Sequence, residues 1–226
     1  MLFTSYPAAW RELADITKAT HRKYCDMHGY DYFADCSETK MVARSPFVDR
    51  PQPEGFIPLR YFIKFQLLEH FLDKDACGMD YETAAWVDVD CLVTNYNRPL
   101  ADWPGEIVTA ADINAVHPTV IIVRKSTRTR RFIWACNNAG RTLFQHHEWC
   151  DNECLRYFDA ALYKGIVTYY PAQDMCAQTP GLYPIPPDLR AEDEWTRQSW
   201  MLHLSALSLP ERIERAKSAV QELHLL

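Results

Sequence analysis

Apolar residues change their spacing several times along this chain, and each change marks an element. Leu2 to Tyr6 is a short run rich in strand-forming residues, and Trp10 to His28 carries Leu13, Ile16, Ala19 and Tyr24 at helical spacing. A strand followed by a helix is predicted. Gly29 supplies a stop, and Tyr30-Asp31-Tyr32-Phe33 reads as a second strand, because aromatic side chains suit a pleated surface better than another helical turn. Residues 41 to 57 place Pro46, Pro51, Pro53 and Gly55 among charged residues, a composition that sustains neither a helix nor a central strand and predicts a loop. Leu59, Phe62, Ile63, Phe65, Leu67, Leu68 and Phe71 then mark an amphipathic helix over 58–72, with Arg60 and Lys64 four apart.

Ala84 to Val93 is an apolar run that predicts one buried strand, broken near its end only by Asp88 and Asp90. Strands are predicted over 106–110 and 119–124, around a loop that holds Asp112 and Asn114. Helices follow over 127–139 and 151–163, the second with Asp151 near its start, where a carboxylate also makes a good cap. A late strand over 167–170, an irregular segment over 171–187 and a charged, solvent-exposed helix over 210–223 complete the pattern. Strands alternating with helices predict an α/β fold, and 226 residues suit one domain over the whole chain.

No window approaches the roughly 20 unbroken apolar residues of a membrane-spanning helix, and the opening MLFTSYPAAW has no basic leader with a long apolar stretch. A soluble, cytoplasmic protein is expected. The net charge of −6 argues against general coating of nucleic acid, which leaves Arg124, Lys125, Arg128, Arg130 and Arg131 as either a local phosphate contact or a solvated stretch. The eight cysteines form no tight repeat and are expected as reduced thiols. His147, Cys150 and Cys154 share one helical face, so this segment admits either a zinc site or core packing.

Asp88 and Asp90 carry the chemistry. Desolvating two anions two residues apart costs several kcal/mol unless a cation or close donors compensate. Hard carboxylate oxygens suit Mg²⁺ or Mn²⁺, ions that also share their coordination with phosphate oxygens.

At this point the chain resembles the GT-A glycosyltransferases, and especially the galactosyl-, mannosyl- and xylosyltransferase family that makes α-linkages from nucleotide-sugars. His28-Gly29-Tyr30-Asp31-Tyr32 is similar to that family's HGYDY stretch, and Trp86-Val87-Asp88-Val89-Asp90-Cys91-Leu92-Val93-Thr94-Asn95 to its W-x-D-x-D-x-x-x-x-N element. Lys64 sits where a lysine-bearing helix precedes the metal strand, and Asp112-Ile113-Asn114 resembles a D-x-N segment. Trp149 to Leu155 resembles W-x-D-Q-x-x-L with Asn152 for glutamine, and Trp200 to Ala206 resembles an H-F-x-G segment with Ala206 for glycine. His117-Pro118-Thr119 departs from the family's N-T-G.

The resemblance implies a Rossmann-like GT-A domain with a mostly parallel sheet flanked by helices. It implies transfer of a hexose or pentose from a UDP- or GDP-sugar, with Mn²⁺ or Mg²⁺ and retention of configuration. Asp88 is then expected at the ribose or the metal, with Val89 beside it. Asp90 and His203 are expected on the metal, and Lys64 and Arg60 at the diphosphate. Thr4, Ser5 and Tyr6 are expected at the base and ribose, and Asp112 at the donor. Asp151 is expected beside the reacting sugar carbon, with Asn152 orienting a hydroxyl. The acceptor is expected to be a hydroxyl of a glycan, a small molecule, a protein or a modified DNA base, the last drawing on the 124–131 basic cluster. With no Golgi-type anchor ahead of the first strand, a bacterial or viral relative is expected. The rival readings are a non-catalytic sugar-nucleotide-binding protein and a zinc-binding module around Cys150 and Cys154.

Overall fold

A computed structural model describes residues 1–36, 59–112, 116–144, 150–180 and 193–226. The predicted loop over 41–57 lies outside them. Leu2–Ser5 (β1) is buried throughout and leads into the helix Arg11–His28 (α1). α1 stops at Gly29, whose φ of 67° is a left-handed conformation that costs a residue without a Cβ little. The chain returns as Tyr32–Asp35 (β2), parallel to β1 with Leu2 opposite Tyr32. This is the predicted βαβ opening, with the second strand beginning two residues beyond the start of the aromatic run.

Ile63–Leu72 (α2) buries Phe65, Leu67, Leu68 and Leu72, and a short helix, Lys74–Cys77 (α3), is capped by Asp73. Thr83–Val87 (β3) and Cys91–Val93 (β4) correct the single strand expected over 84–93. β3 belongs to a sheet of six strands and β4 to another of three, so Asp88-Val89-Asp90 is the turn between two sheets. Ile107–Ala111 (β5), Val116–Arg124 (β6) and Val167–Pro171 (β7) complete the larger sheet in the order β2-β1-β3-β6-β5-β7. Its neighbours pair in parallel except at β6, which runs antiparallel to both β3 and β5.

Thr127–Ala135 (α4) is closed by a capping box from Ser126 and runs through a π-helical turn into Arg141–Phe144 (α5). Cys150–Phe158 (α6) follows. Phe65 and Leu68 of α2, Phe132 and Ile133 of α4, and Leu155 and Phe158 of α6 pack with Phe3, Ile121 and Val123 of the sheet. On the opposite face Tyr24 and Cys25 of α1 join Leu2, Ala85, Val87, Val108 and Ile122. Both faces are covered, which is why the central strands carry near-continuous apolar runs.

Part of the segment expected to be irregular is ordered. Ala172–Met175 (α7) leads into Cys176–Gln178 (β8), whereas residues 181–192 lie outside the described residues. Met201–His203 (β9) lies between β4 and β8 in the small sheet, antiparallel to β4 and parallel to β8. The terminal helix Leu209–Glu222 (α8) is not simply solvent-exposed, because Ala216 and Ala219 are buried with Leu13 of α1, Leu92 and Leu202. Among the described residues no helix is long and apolar enough to cross a membrane.

The main sheet is irregular along β6. Thr109 pairs with Ile121, but Ala110 pairs with His117, so Pro118, Thr119 and Val120 are extra residues in that strand. Pro118 has no N–H to give to a ladder and is tolerated where the ladder is broken. The bulge offers the Thr119 carbonyl to the Asp88 amide at 2.8 Å and the Val120 carbonyl to the Thr109 hydroxyl at 2.8 Å.

A buried histidine ties α1 to both sheets. His21 is fully buried, its Nε2 lies 2.8 Å from the Cys91 carbonyl and its Nδ1 lies 3.2 Å from the Tyr32 hydroxyl. A carbonyl can only accept, so Nε2 carries the proton and Nδ1 accepts from Tyr32. Burial therefore holds His21 neutral and pushes its pKa from 6.5 down to about 4. As pH falls from 6.5 toward 4, the unfolded chain takes up a proton that the folded chain refuses, and stability is lost across that window. The loss approaches about 3 kcal/mol. Urea midpoints measured across this range should fall for the wild type and fall less steeply for His21→Gln; equal slopes would remove His21 as the cause.

Candidate active site

The carboxyl ends of β1 and β3 and the bulge of β6 meet in a cleft of about 510 Å³, a volume suited to a small-molecule ligand. Its walls include Ser5, Lys64, Asp88, Val89, Asp90, Asp151, Asn152 and His203. These residues come from β1, α2, the β3–β4 turn, α6 and β9, far apart in the chain. Trp10, Tyr61, His117, Ser205 and Arg212 line it as well.

Lys64 is the centre of one half. It is 4% exposed, and its Nζ lies 2.7 Å from Asp151 Oδ2, 3.0 Å from the Pro118 carbonyl and 3.5 Å from Asp88 Oδ1. Burial works against its charge, but Asp151 and Asp88 outweigh burial and raise its pKa. Asp88 also accepts from the Trp86 indole N–H at 2.5 Å. Burial, with Asp90 and Asp151 nearby, pushes the Asp88 carboxyl up, against Lys64 and Trp86. Water tempers that push, since the Asp88 side chain is 29% exposed.

Asp90 is the centre of the other half. Cys91 pairs with His203 across the β4–β9 ladder, and the Leu204 amide donates to the Asp90 carbonyl at 3.0 Å. That register brings His203 Nε2 to 3.5 Å from Asp90 Oδ2. Arg212, from the first turns of α8, also pairs with Asp90 Oδ2. Burial would raise the Asp90 carboxyl, but His203 and Arg212 prevail and lower it. Among the described residues, Asp90, Cys91 and His203 form one group with ligand atoms within 4.8 Å of one another, and His117, Cys176 and His203 form a second. Asp88 belongs to neither, facing Lys64 and Trp86 instead.

Other expected site residues lie elsewhere. Thr4 is fully buried beneath the cleft, and Tyr6 is turned to accept from Lys18 at 2.9 Å, so of the three only Ser5 reaches the cleft wall. Asp112 follows β5 outside the cleft lining. The side chain of Arg60 and residues Asn114, His146, His147 and Trp149 lie outside the described residues. Cys150 and Cys154 are core residues: a Cβ added at Gly140 would stand 2.2 Å from Cys154 Sγ, so the thiol fills the space above that glycine. The basic cluster is largely spent within the fold. Arg124 donates to the Gly105 and Leu100 carbonyls, Lys125 pairs with Asp80, Arg128 with Glu106 and Arg130 with Asp73.

Arg212 and His117 are the residues that sequence reasoning missed. α8 reads as a solvated helix because its charges dominate its pattern, and nothing local links position 212 to position 90. His117-Pro118 did carry a signal, since a proline inside a strand pattern marks a bulge. At Ala206, φ is 60°, in the left-handed region where a glycine would sit without strain.

A mostly parallel sheet with one reversed strand, and an acidic turn passing from it to a small second sheet, define the GT-A glycosyltransferase fold. The chain resembles a glycosyltransferase involved in glycosylating the major capsid of PBCV-1, with a TM-score of 0.62 at 15% identity over 96% of this chain and 98% of that one. It also resembles the galactosyltransferase LgtC bound to donor and acceptor sugar analogues, with a TM-score of 0.61 at 14% identity over 96% and 95% of the two chains. For mouse xyloside xylosyltransferase 1 the TM-score is 0.54 at 8% identity, over 90% and 97%. No protein-family model and no curated protein matches the sequence.

Removing one partner from a buried ion pair leaves the other charge uncompensated, at a cost of about 3 kcal/mol. Lys64→Met should therefore lower the unfolding free energy by about that amount in urea titrations. An unchanged midpoint would mean that water, not Lys64, satisfies the two carboxylates.

Proposed function

We propose that this chain is a metal-dependent glycosyltransferase that moves a hexose or pentose from a UDP- or GDP-sugar to a hydroxyl acceptor, with retention at the anomeric carbon. One observation carries the reading: a GT-A fold places a buried Lys64–Asp151 pair and an Asp90–His203 pair on the walls of one cleft at the sheet's carboxyl edge. Nucleotide ligands of open α/β sheets bind at that edge.

Asp90 and His203 suit the resident ion, since one carboxylate and one imidazole are donors that Mn²⁺ and Mg²⁺ accept, and His203 Nδ1 is buried without a hydrogen-bond partner among the described residues. When bound, such an ion supplies positive charge to the diphosphate leaving group. Asp88, at the other end of the turn, closes the same wall toward the ribose, with Val89 and Ser5 beside it. Lys64 and Arg212 give the cleft two cationic side chains of its own, and the diphosphate draws Arg212 away from Asp90.

Lys64 occupies Asp151 Oδ2, which pins the carboxylate and leaves Oδ1 as the atom that faces the reacting carbon. A carboxylate group there stabilises the oxocarbenium-like centre as the glycosidic bond breaks. Asn152, on the same wall, orients the incoming hydroxyl on the face that the diphosphate leaves. Because the basic cluster is paired internally, a glycan or small-molecule hydroxyl fits the acceptor better than DNA does.

A panel of nucleotide-sugars screened by thermal unfolding tests the donor. In the presence of Mn²⁺ the matching donor, at about a hundred times its Kd, should raise the melting temperature by roughly 5 to 10 °C. Asp90→Asn should abolish the Mn²⁺-dependent part. If no UDP or GDP compound shifts the transition, or if Asp90→Asn responds like the wild type, the proposal is wrong. Once the donor is known, Asp151→Asn should lower kcat by at least about 100-fold while donor affinity is kept. A non-catalytic sugar-nucleotide binder would give the same thermal shifts with no turnover to lose.

A further inference from the structure

A soft set of ligands adjoins the cleft, whose walls include His117 and His203. The ligand atoms of His117, Cys176 and His203 lie within 4.8 Å of one another, and the two imidazole rings stand edge to face with centroids 4.9 Å apart. His203 comes from β9, Cys176 from the adjacent strand β8, and His117 from β6 just ahead of its bulge. Cys91 adds a second sulfur 3.7 Å from that of Cys176.

Core packing does not account for this group. His203 is 6% exposed and its Nδ1 has no hydrogen-bond partner among the described residues, and the same holds for the buried Nδ1 of His117. Beside the buried thiol, His203 Nδ1 is an acceptor that lacks a donor, since Nε2 faces Asp90, and a cation satisfies it; His117 Nε2 accepts from the Gln178 side-chain amide at 3.2 Å, so His117 binds a cation by exchanging that contact for it. His117 and His203 reach the cleft wall, so an ion has a path in from the donor side.

We propose that His117, Cys176 and His203 form a second cation site, selective for Zn²⁺ and similar soft divalent ions, that overlaps the Asp90–His203 site at His203. A tetrahedral ion with bonds of about 2.0 to 2.3 Å needs ligand atoms roughly 3.3 to 3.8 Å apart, so the group closes on one with side-chain shifts of about 1 Å. Thiolate and imidazole rank Zn²⁺ and Co²⁺ above Mn²⁺ and Mg²⁺, the reverse of a carboxylate and phosphate environment. Binding converts the Cys176 thiol to a metal-bound thiolate and releases its proton to solvent; the fourth position goes to Asp90 or water. Because His203 is shared, a soft ion held here takes that ligand from the donor's metal.

Co²⁺ is the probe, since a cobalt–thiolate bond gives a charge-transfer absorption that carboxylate or imidazole ligation does not. Titrated into the full chain under reducing conditions, without nucleotide-sugar, Co²⁺ should produce this band and saturate at one equivalent. Excess Zn²⁺ should bleach it and excess Mn²⁺ should not. Cys176→Ser should lose the band; should that variant fail to fold, His117→Gln, a change at a half-buried cleft position, should weaken Co²⁺ binding at least tenfold. Absence of the band from the wild type, its survival in Cys176→Ser, or unaltered Co²⁺ affinity in His117→Gln would overturn the site. No donor is present in these measurements, so their failure leaves the glycosyl-transfer reading standing, and failure of that reading leaves them interpretable.

Discussion

A single buried ammonium group joins the parts from which the cleft is made. Lys64 belongs to α2, its strongest partner Asp151 to α6, its second carboxylate to the β3–β4 turn, and its carbonyl partner to the bulge of β6. An unpaired charge at 4% exposure would not persist, so the four elements are constrained to converge wherever that ammonium sits. The same contact fixes the orientation of Asp151. Stability and the geometry of the site therefore draw on one interaction.

The rest of the site follows from strand register. β4 and β9 pair so that Cys91 faces His203, which leaves Asp90 and His203 at the same end of one ladder. Three extra residues in β6, Pro118 to Val120, break its pairing with β5, and His117, Pro118 and Thr119 at this break line the cleft. α8 then closes the far wall, with Ala216 and Ala219 seated on α1 and Arg212 reaching Asp90.

Much of this was legible in the sequence wherever the signal was local. The strand and helix at residues 2–28, α2, and the strands at 107–124 announce themselves by apolar spacing, and Asp88 and Asp90 stand out as charges in an apolar run. What stayed hidden depends on long-range pairing. Ala84 to Val93 is uniformly apolar apart from its acids, so no residue within it reports that its two halves join different sheets. Arg212 lies on the polar side of a charged helix and gives no sign that its partner is 122 residues away. Cys150 and Cys154 show the converse: spacing on one helical face suggested a ligand pair, but Gly140 opposite Cys154 makes that face a close packing seam.

The three-residue turn from Asp88 to Asp90 is the strap by which the large sheet holds the small one on this side. Val89 in its middle is 6% exposed and rests on Tyr6 and Ala14, at the start of the first βα unit. It is a wedge between the two sheets. Asp90 and His203 are tied together at the end of the small sheet's ladder, whereas Asp88 is held by Trp86 and Lys64 on the side of the large one. The spacing of the two aspartates is thus set by the packing of one apolar side chain that touches neither carboxylate's partners.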